Sequence, residues 1–309
     1  MQIQWYPGHM HKAAKEVRKR LPSIDLIIEV LDARIPFSSE NPMIHELRQD
    51  KPCIKVLSKS DLADADMTAT WQAYMEQERG VKTLAITTQA PDKMRQLTAL
   101  CAKMVPRQQS NPKPVNALIM GIPNVGKSTL INTLAGRSVA KTGNEPAVTK
   151  SQQRIELADG IVLFDTPGML WPNVENRNSG YRLAVTGAIK DTAMEYEDVA
   201  WFAAEYLLQA YPQRLQSRYE LDALPDSENE LLDVIGRKRG CLMGGGHVDF
   251  DKAARLLLMD LRGGKLGPIT LETPAMMEQE IKAMLRLREE KKVLREAKKA
   301  ARKKKAKRR

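Results

Sequence analysis

One stretch of the chain has the residue types and spacing of a phosphate-binding loop. Gly121-Ile-Pro-Asn-Val-Gly-Lys-Ser128 fits the pattern G-x-x-x-x-G-K-[ST] and lies between an apolar, strand-like run and a helical pattern, which is the context that this pattern requires. Backbone N–H groups in such a loop turn inward around phosphates, and the helix N-terminus adds the positive end of its dipole. The stretch predicts a nucleotide phosphate site, with an ordinary glycine-rich turn as the alternative.

Residue chemistry assigns roles within this loop. Lys127 is predicted to reach the β- and γ-phosphates, and the Ser128 hydroxyl to ligate Mg²⁺. The predicted nucleotide contacts here are Asn124, Val125, Gly126, Lys127, Ser128 and Thr129.

A second motif, Asp165-Thr-Pro-Gly168, directly follows the apolar run at 161–164. An Asp at a strand end can hold Mg²⁺ through water, and the Gly168 N–H can sense the γ-phosphate, so we expect Lys127 and Gly168 to act on the reacting phosphate. Between the two motifs, Thr149 offers a further hydroxyl in a switch loop. The predicted Mg²⁺ ligands are therefore Ser128, Thr149 and Asp165.

A base-reading motif lies upstream of the phosphate loop. Ser58-Lys-Ser-Asp61 is similar to N-K-x-D, with Ser in the place of Asn. The Asp61 carboxylate can accept hydrogen bonds from guanine N1–H and the 2-amino group, whereas adenine would leave it unpaired, which disfavours an ATP-dependent enzyme. The Lys59 stem can lie over the base. We expect the change to Ser58 to remove a polar contact that ties this loop to the phosphate loop.

The next predicted strand ends where a backbone N–H would meet guanine O6. The predicted base-binding residues are Ser58, Lys59, Ser60, Asp61, Ile86 and Thr87. GTP and GDP are therefore the expected ligands.

Strand-like and helical patterns alternate around these motifs. Buried strands are predicted at 24–31, 53–57, 83–87, 117–120, 153–157 and 161–164. Helices are predicted at 9–20, 42–48, 68–77, 91–104 and 127–135. This alternation predicts an α/β fold with a mostly parallel, doubly wound sheet.

Helical patterning takes over in the second half, at 199–209, 228–237, 251–261 and 274–300. We predict a GTPase domain at 1–180, a smaller all-helical C-terminal domain at 181–275, and a basic, helical or disordered tail at 276–309.

The order of the two nucleotide motifs is unusual, because Ras-like GTPases carry the phosphate loop first and the base motif later. Either the S-K-S-D string is a coincidence, or the chain is a circularly permuted Ras-like domain. Each motif follows a predicted strand, which favours permutation. Asp32-Ala-Arg34 also follows a strand; a buried ion pair and a partner-facing arginine remain open for it, and it receives no nucleotide role.

The sequence resembles the RbgA/YlqF family of circularly permuted ribosome-biogenesis GTPases. The resemblance covers about residues 1–275 and rests on strings such as WYPGHM at 5–10, DARIP at 32–36, NPM at 41–43, LAVTGAIK at 183–190 and KRGCLM at 238–243. It implies GTP hydrolysis as a switch in late assembly of the large (50S) ribosomal subunit. It also implies ribosomal RNA as partner, with the helical domain at 181–275 binding RNA or the ribosome. Ser58 and Pro146-Ala147 depart from the family pattern.

The position after Gly168 holds Met169 and then Leu170, and neither side chain can orient the attacking water as the Gln of Ras-type enzymes does. We therefore expect slow hydrolysis by the protein alone and stimulation by ribosomal subunits. The resemblance implies that His9 takes part, with capping or packing of the first helix as the alternative. Asn124 is a candidate K⁺ ligand, with a loop-shaping role as the alternative.

Charge is concentrated at one end of the chain. The net charge is +11, and residues 282–309, with 15 Lys and Arg against 3 Glu, contribute +12, which leaves the rest at −1. Such a tail can neutralise RNA phosphates without reading sequence, whereas a lack of large aromatic residues disfavours membrane binding.

The remaining composition is typical of a cytoplasmic protein. The three cysteines are far apart, the N-terminus lacks the apolar run of a secretory signal, and no apolar run could span a membrane. We expect a cytoplasmic monomer. The main alternative to a switch GTPase is a GTP-binding RNA chaperone or tether in which hydrolysis is incidental.

Overall fold

The structure, a computed structural model, describes residues 8–106, 113–140, 153–157, 160–171 and 174–306, with backbone alone at 8–9 and 297–306. The chain forms two compact units, Met1–Glu272 and Thr273–Arg309. The described part of the second unit contains one helix, α11 (Pro274–Ala306). No helix within the described ranges is long and apolar enough to cross a membrane.

The first unit is built on a six-stranded sheet. Its strands are β1 (Leu26–Asp32), β2 (Cys53–Ser58), β3 (Val81–Ala85), β4 (Val115–Gly121), β5 (Gln153–Glu156) and β6 (Ile161–Asp165). They lie in the order β3-β2-β1-β4-β6-β5. All neighbours are parallel except β5 and β6, which pair antiparallel. The predicted mostly parallel sheet is confirmed.

Helices connect and cover these strands. In the first unit the α-helices of the described residues are α1 (Gly8–Arg20), α2 (Pro42–Arg48), α3 (Ala65–Met75), α4 (Pro91–Met104), α5 (Lys127–Ala135), α6 (Arg177–Val185), α7 (Tyr196–Ala210), α8 (Pro212–Tyr219), α9 (Glu228–Lys238) and α10 (Phe250–Arg262). The sequence interpretation omitted α6 and α8.

The central strands and the helices that follow β6 contribute residues to the same hydrophobic core. Every residue of β1 and β2 is buried, as expected for parallel strands that are covered on both faces. One apolar cluster contains Ile28 of β1, Leu207 of α7 and Leu257 of α10. The sheet and the helices that follow it therefore share one core.

Charged residues are also buried in this unit, among them Glu29 of β1 and Lys55 of β2. Glu29 is 1% exposed and Lys55 is 5% exposed, and the Lys55 Nζ atom lies 2.5 Å from Glu40 Oε1. Burial raises the pKa of Glu29 to about 8; the negative charge of Glu40 adds to this shift and Lys55 opposes it.

Because the main strands are parallel, their carboxyl ends lie along one edge of the sheet. Asp32 at the end of β1 pairs in register with Ser58 at the end of β2, and Asp165 at the end of β6 is opposite Ile119 of β4. After β1 the chain adds β2 and β3 on one side of β1, and β4 then pairs with β1 on the other side. This is a topological switch point, where open α/β sheets bind ligands.

Candidate nucleotide-binding site

The stretch from 121 to 128 forms the predicted loop between β4 and α5. Asn124 has a φ of 61° and Gly126 a φ of 86°, so the backbone turns through the left-handed region, which a glycine adopts without strain. Helix α5 begins at Lys127 and has no acidic residue in its first turn. Ser128 and Thr129 follow in that turn, where the N–H groups of the helix are available to an anion.

The two motifs predicted to meet at the γ-phosphate are in direct contact. The Lys127 Nζ atom donates a hydrogen bond to Asp165 Oδ1, and both side chains are buried. Asp165 Oδ2 is also buried and has no hydrogen-bond partner among the described residues. Burial raises the pKa of Asp165, and the charge of Lys127 opposes that shift. The described part of the site thus contains a carboxylate oxygen without a hydrogen-bond partner.

The segment after Asp165 packs closely on the phosphate loop. A Cβ atom at Gly168 would lie 3.1 Å from the backbone N and Cα of Pro123, so only glycine fits without displacing the loop. The Met169 N–H donates to the Gly121 carbonyl oxygen at 3.1 Å. The Met169 side chain is 4% exposed and packs in an apolar cluster. It cannot orient a water molecule from that position.

The base loop is joined to the phosphate loop through Ser58. Its hydroxyl lies 2.5 Å from the Val125 carbonyl oxygen and 2.8 Å from that of Leu31. The expectation that Ser in place of Asn removes the tie between the two loops is therefore wrong. Since Ser58 is at the buried end of β2, a short hydroxyl reaches the neighbouring loop.

Lys59 is held by a buried charge cluster. Its Nζ atom lies 2.9 Å from Asp32 Oδ2, and the same carboxylate accepts from Arg34 Nε at 2.9 Å and Nη2 at 2.8 Å. Burial raises the pKa of Asp32, but the charges of Arg34 and Lys59 outweigh this effect and hold the pKa below its usual value. The Arg34 side chain is 2% exposed, so the open alternatives for Asp32-Ala-Arg34 resolve to the buried ion pair.

The remaining base-loop residues lie beside the end of β3. Gln89 Nε2 donates to Asp61 Oδ2 at 3.2 Å, and the Ser60 N–H donates to the Ile86 carbonyl oxygen at 3.1 Å. The Ile86 N–H donates to the Leu57 carbonyl oxygen at 2.9 Å. Because that N–H is engaged, Thr87 is the better candidate donor to guanine O6.

Asn124 links the phosphate loop to the turn after α6. Its Nδ2 atom donates to the Gly187 carbonyl oxygen at 2.8 Å. Arg262 of α10 supports the same region by donating to the Ala184 and Val185 carbonyl oxygens. The hydrogen bond from Asn124 to Gly187 is of the kind expected for a loop-shaping residue.

Two predicted site residues cannot be placed. Thr149, the proposed switch-loop ligand, lies outside the described residues, as do Pro146 and Ala147. His9 belongs to α1, but its side chain also lies outside the description. Sequence reasoning gave no site role to Asn41 or Glu272. Asn41 contacts Met169, and Glu272 contacts Ser38, so each contact joins residues that are far apart in the sequence.

The sheet order and the joined phosphate and base loops define a circularly permuted P-loop GTPase domain. A sequence profile described as "50S ribosome-binding GTPase" matches residues 116–222. Ribosome biogenesis GTPase A of Bacillus cereus is 46% identical to this chain over 94% of the chain and 100% of that protein. The chain belongs to the ribosome biogenesis GTPase A (RbgA/YlqF) family.

Two solved structures are also similar to it. The GDP-bound structure of TM YlqF matches with a TM-score of 0.61 and 25% identity, over 84% of this chain and 99% of that one. A crystal structure of GNP-bound YlqF from T. maritima matches with a TM-score of 0.60 and 25% identity, over 85% and 98% of the two chains.

Proposed function

We propose that this protein binds GTP with Mg²⁺, hydrolyses it to GDP and phosphate, and acts as a switch in late assembly of the large (50S) ribosomal subunit. The observation that carries the proposal is the junction of the two loops by Ser58 and Val125, beside the pair of Lys127 and Asp165. These contacts support a site in which the phosphate loop and Asp61, an aspartate suited to guanine, share one edge of the sheet. The names of the similar proteins supply the connection to the ribosome.

The donor set fits Mg²⁺. Asp165 Oδ2 is buried and has no partner in the part of the chain that the structure describes. Carboxylate and hydroxyl oxygens are the ligands that this hard cation prefers. Ser128, Thr149 and Asp165 would hold it, Asp165 through water. When bound, Mg²⁺ neutralises charge on the β- and γ-phosphates. Lys127 then exchanges its contact with Asp165 for the phosphates.

Orientation of the attacking water needs a group other than Met169, whose side chain is buried. We propose His9 for this role, since a neutral imidazole accepts a hydrogen bond from water, and K⁺ held in part by Asn124 as an added positive charge. Turnover is expected to be slow in isolation and faster on ribosomal subunits. Equal rates in Na⁺ and K⁺ would remove the potassium proposal.

The basic tail supports ribosomal RNA as the partner, because residues 282–309 carry a net charge of +12 and bind phosphates with a strong dependence on salt. We propose a GTPase domain at 1–180, an RNA-contacting helical domain at 181–275 and the tail at 276–309. We also propose that the protein is a cytoplasmic monomer with no membrane partner.

A second candidate is a GTP-binding RNA chaperone or tether in which hydrolysis is incidental. The buried Met169 side chain favours it, because the usual water-orienting position carries no polar group.

Two assays separate these functions. GTP turnover is measured with and without large ribosomal subunits, and co-sedimentation with the subunits is measured in GDP and in a non-hydrolysable GTP analogue. A switch requires faster turnover on subunits and binding that depends on the nucleotide. If both quantities are unchanged, the switch function fails and the tether remains.

A further inference from the structure

The loop between β1 and α2 reaches the segment that follows Gly168. Asn41 in this loop is 2% exposed, and its Nδ2 atom donates to the Met169 carbonyl oxygen at 3.2 Å. On its other side, the Met169 N–H donates to Gly121 at the start of the phosphate loop. The backbone of residue 169 is therefore held between the phosphate loop and Asn41.

Three further contacts fix the orientation of Asn41. Its Oδ1 atom accepts from the Met43 N–H at 3.0 Å and caps α2, and its own N–H donates to Glu29 Oε1 at 2.9 Å. Its carbonyl oxygen accepts from the Ile44 N–H at 2.8 Å. Since the amide oxygen is committed to the cap, the amide nitrogen has a defined direction, toward Met169.

The same loop is anchored a few residues earlier by Glu272. This carboxylate is completely buried and accepts from the Phe37 N–H at 2.5 Å, the Ser38 N–H at 3.0 Å and the Ser38 hydroxyl at 2.5 Å. Such buried, charge-assisted hydrogen bonds are among the stronger ones in proteins. Asn41 thus extends from a loop that is fixed at both ends.

We infer that Asn41 is a positioning residue for the γ-phosphate: it holds the Met169 carbonyl group so that the adjacent Gly168 N–H stays against the phosphate loop. The inference rests on the proposed function, because it assumes that GTP occupies this site. Asn41 itself touches neither phosphate nor water in this role. GDP lacks the γ-phosphate, so the effect of Asn41 is confined to GTP.

Two substitutions separate this role from helix capping. Asn41→Ser retains a side-chain acceptor for the α2 cap, because Ser is as good an N-cap as Asn, but is too short to reach Met169. Asn41→Asp retains the cap and the shape but replaces the donor with a carboxylate oxygen. We expect each to lower the affinity for a non-hydrolysable GTP analogue about five- to tenfold, the equivalent of one hydrogen bond, with GDP affinity changed less than about twofold.

A second readout does not depend on nucleotide. Loss of the Asn41 contact should speed amide hydrogen exchange in segment 166–171 of the ligand-free protein. Asp249→Ser serves as the matched control, since Asp249 caps α10 by accepting from the Lys252 N–H and lies in the helical segment. It should change neither readout.

The outcomes are distinct. If the wild-type protein binds neither GDP nor the analogue, the proposed function fails. If the wild type binds both, and either folded Asn41 variant keeps the wild-type affinity ratio and exchange rate, the positioning role is overturned. If only one variant folds, that variant decides, and faster exchange with a lowered ratio supports the role.

Discussion

The Ser58 hydroxyl lies 2.5 Å from the Val125 carbonyl oxygen and joins the proposed base loop to the predicted phosphate loop. The same hydroxyl lies 2.8 Å from the Leu31 carbonyl oxygen, and its single proton serves one acceptor at a time. The serine side chain is shorter than asparagine but still reaches the phosphate loop, because the end of β2 lies next to that loop.

Ser58→Ala should weaken binding of GDP and GTP alike, because it leaves the buried Val125 carbonyl oxygen without this donor. One lost neutral hydrogen bond corresponds to about 1 kcal/mol, or about fivefold in Kd for either nucleotide. Titration with a fluorescent guanine nucleotide measures both constants.

Ser23→Ala is the control for that substitution. The Ser23 hydroxyl donates to the Arg20 carbonyl oxygen at an exposed position, so its removal should leave both constants unchanged. Equal affinities of Ser58→Ala and wild type would show that the contact between the loops does not contribute to binding.

Lys127→Met should abolish nucleotide binding and also destabilise the ligand-free protein. Asp165 would then be buried without its cation, and removal of one partner of a buried ion pair costs about 3–5 kcal/mol. Burial already raises the pKa of Asp165, so protonation relieves part of the cost at low pH, and the deficit should grow as the pH rises. Urea denaturation without nucleotide measures it.

The double variant Lys127→Met/Asp165→Asn tests the cause. It removes the uncompensated charge, so most of the lost stability should return while nucleotide binding stays absent. A double variant as unstable as Lys127→Met would mean that lost packing of the lysine stem, and not the buried carboxylate, causes the effect.

Glu29→Gln should stabilise the protein above neutral pH. The pKa of Glu29 is raised to about 8 in the folded state by burial, with Glu40 adding to the shift and Lys55 opposing it. The folded protein therefore binds more protons than the unfolded chain, and the free energy of unfolding falls as the pH rises from the ordinary glutamate pKa to about 8. Glutamine cannot ionise, yet its oxygen can still accept from the Asn41 N–H.

Denaturation from about pH 5 to about pH 9 should give a smaller decline in stability for Glu29→Gln than for the wild type. Glu46→Gln, at an exposed position of α2, controls for the loss of one negative charge. Parallel stability curves for Glu29→Gln and wild type would contradict a proton held by Glu29.

Asp61→Asn should lower GTP affinity by about 100-fold or more, because it removes the carboxylate that we propose accepts from guanine N1–H and the 2-amino group. Xanthine carries an oxygen in place of the 2-amino group, and the asparagine amide can donate to it. Affinity for xanthosine triphosphate should therefore rise. Competition of GTP, ATP and xanthosine triphosphate against a fluorescent nucleotide measures the change.

Gln89→Ala is the companion variant. Gln89 donates to Asp61 Oδ2, but it is not among the residues that we propose to contact the base. It should change affinity for GTP only modestly and leave the preference over ATP intact. If Asp61→Asn kept the wild-type preference for GTP, Asp61 would not be the guanine reader.

Local sequence patterns predicted most of the elements because the sheet is regular. The bounds of α2, α4 and α5 agree with the prediction at both ends, since proline or the phosphate loop marks where each begins. Helix α6 was missed because seven of its nine residues are buried and these include Ser179, Gly180 and Arg182, so polar residues do not mark a solvent face with a helical period. Helix α8 is short and begins at a proline directly after α7.

Sequence analysis could predict the parts of the site that belong to single, local motifs, but not the contacts between distant parts of the chain. Each motif follows a strand, so their meeting at one edge could be expected. The contact of Asn41 with Met169 joins residues 128 positions apart, and that of Glu272 with Ser38 joins residues 234 positions apart. Neither has a local signal, because such hydrogen bonds are set by how the loops pack.

The order of the strands along the chain also fixes the order in which the two loops are synthesised. Synthesis proceeds from the N-terminus, so β1, β2 and β3, with the proposed guanine-reading loop, emerge before β4 and the phosphate loop, and before β6 and Asp165. The residues proposed to contact the base are therefore synthesised before those proposed to contact the phosphates. Since domains generally fold as units, we expect the complete nucleotide site to form only when β4 has paired with β1.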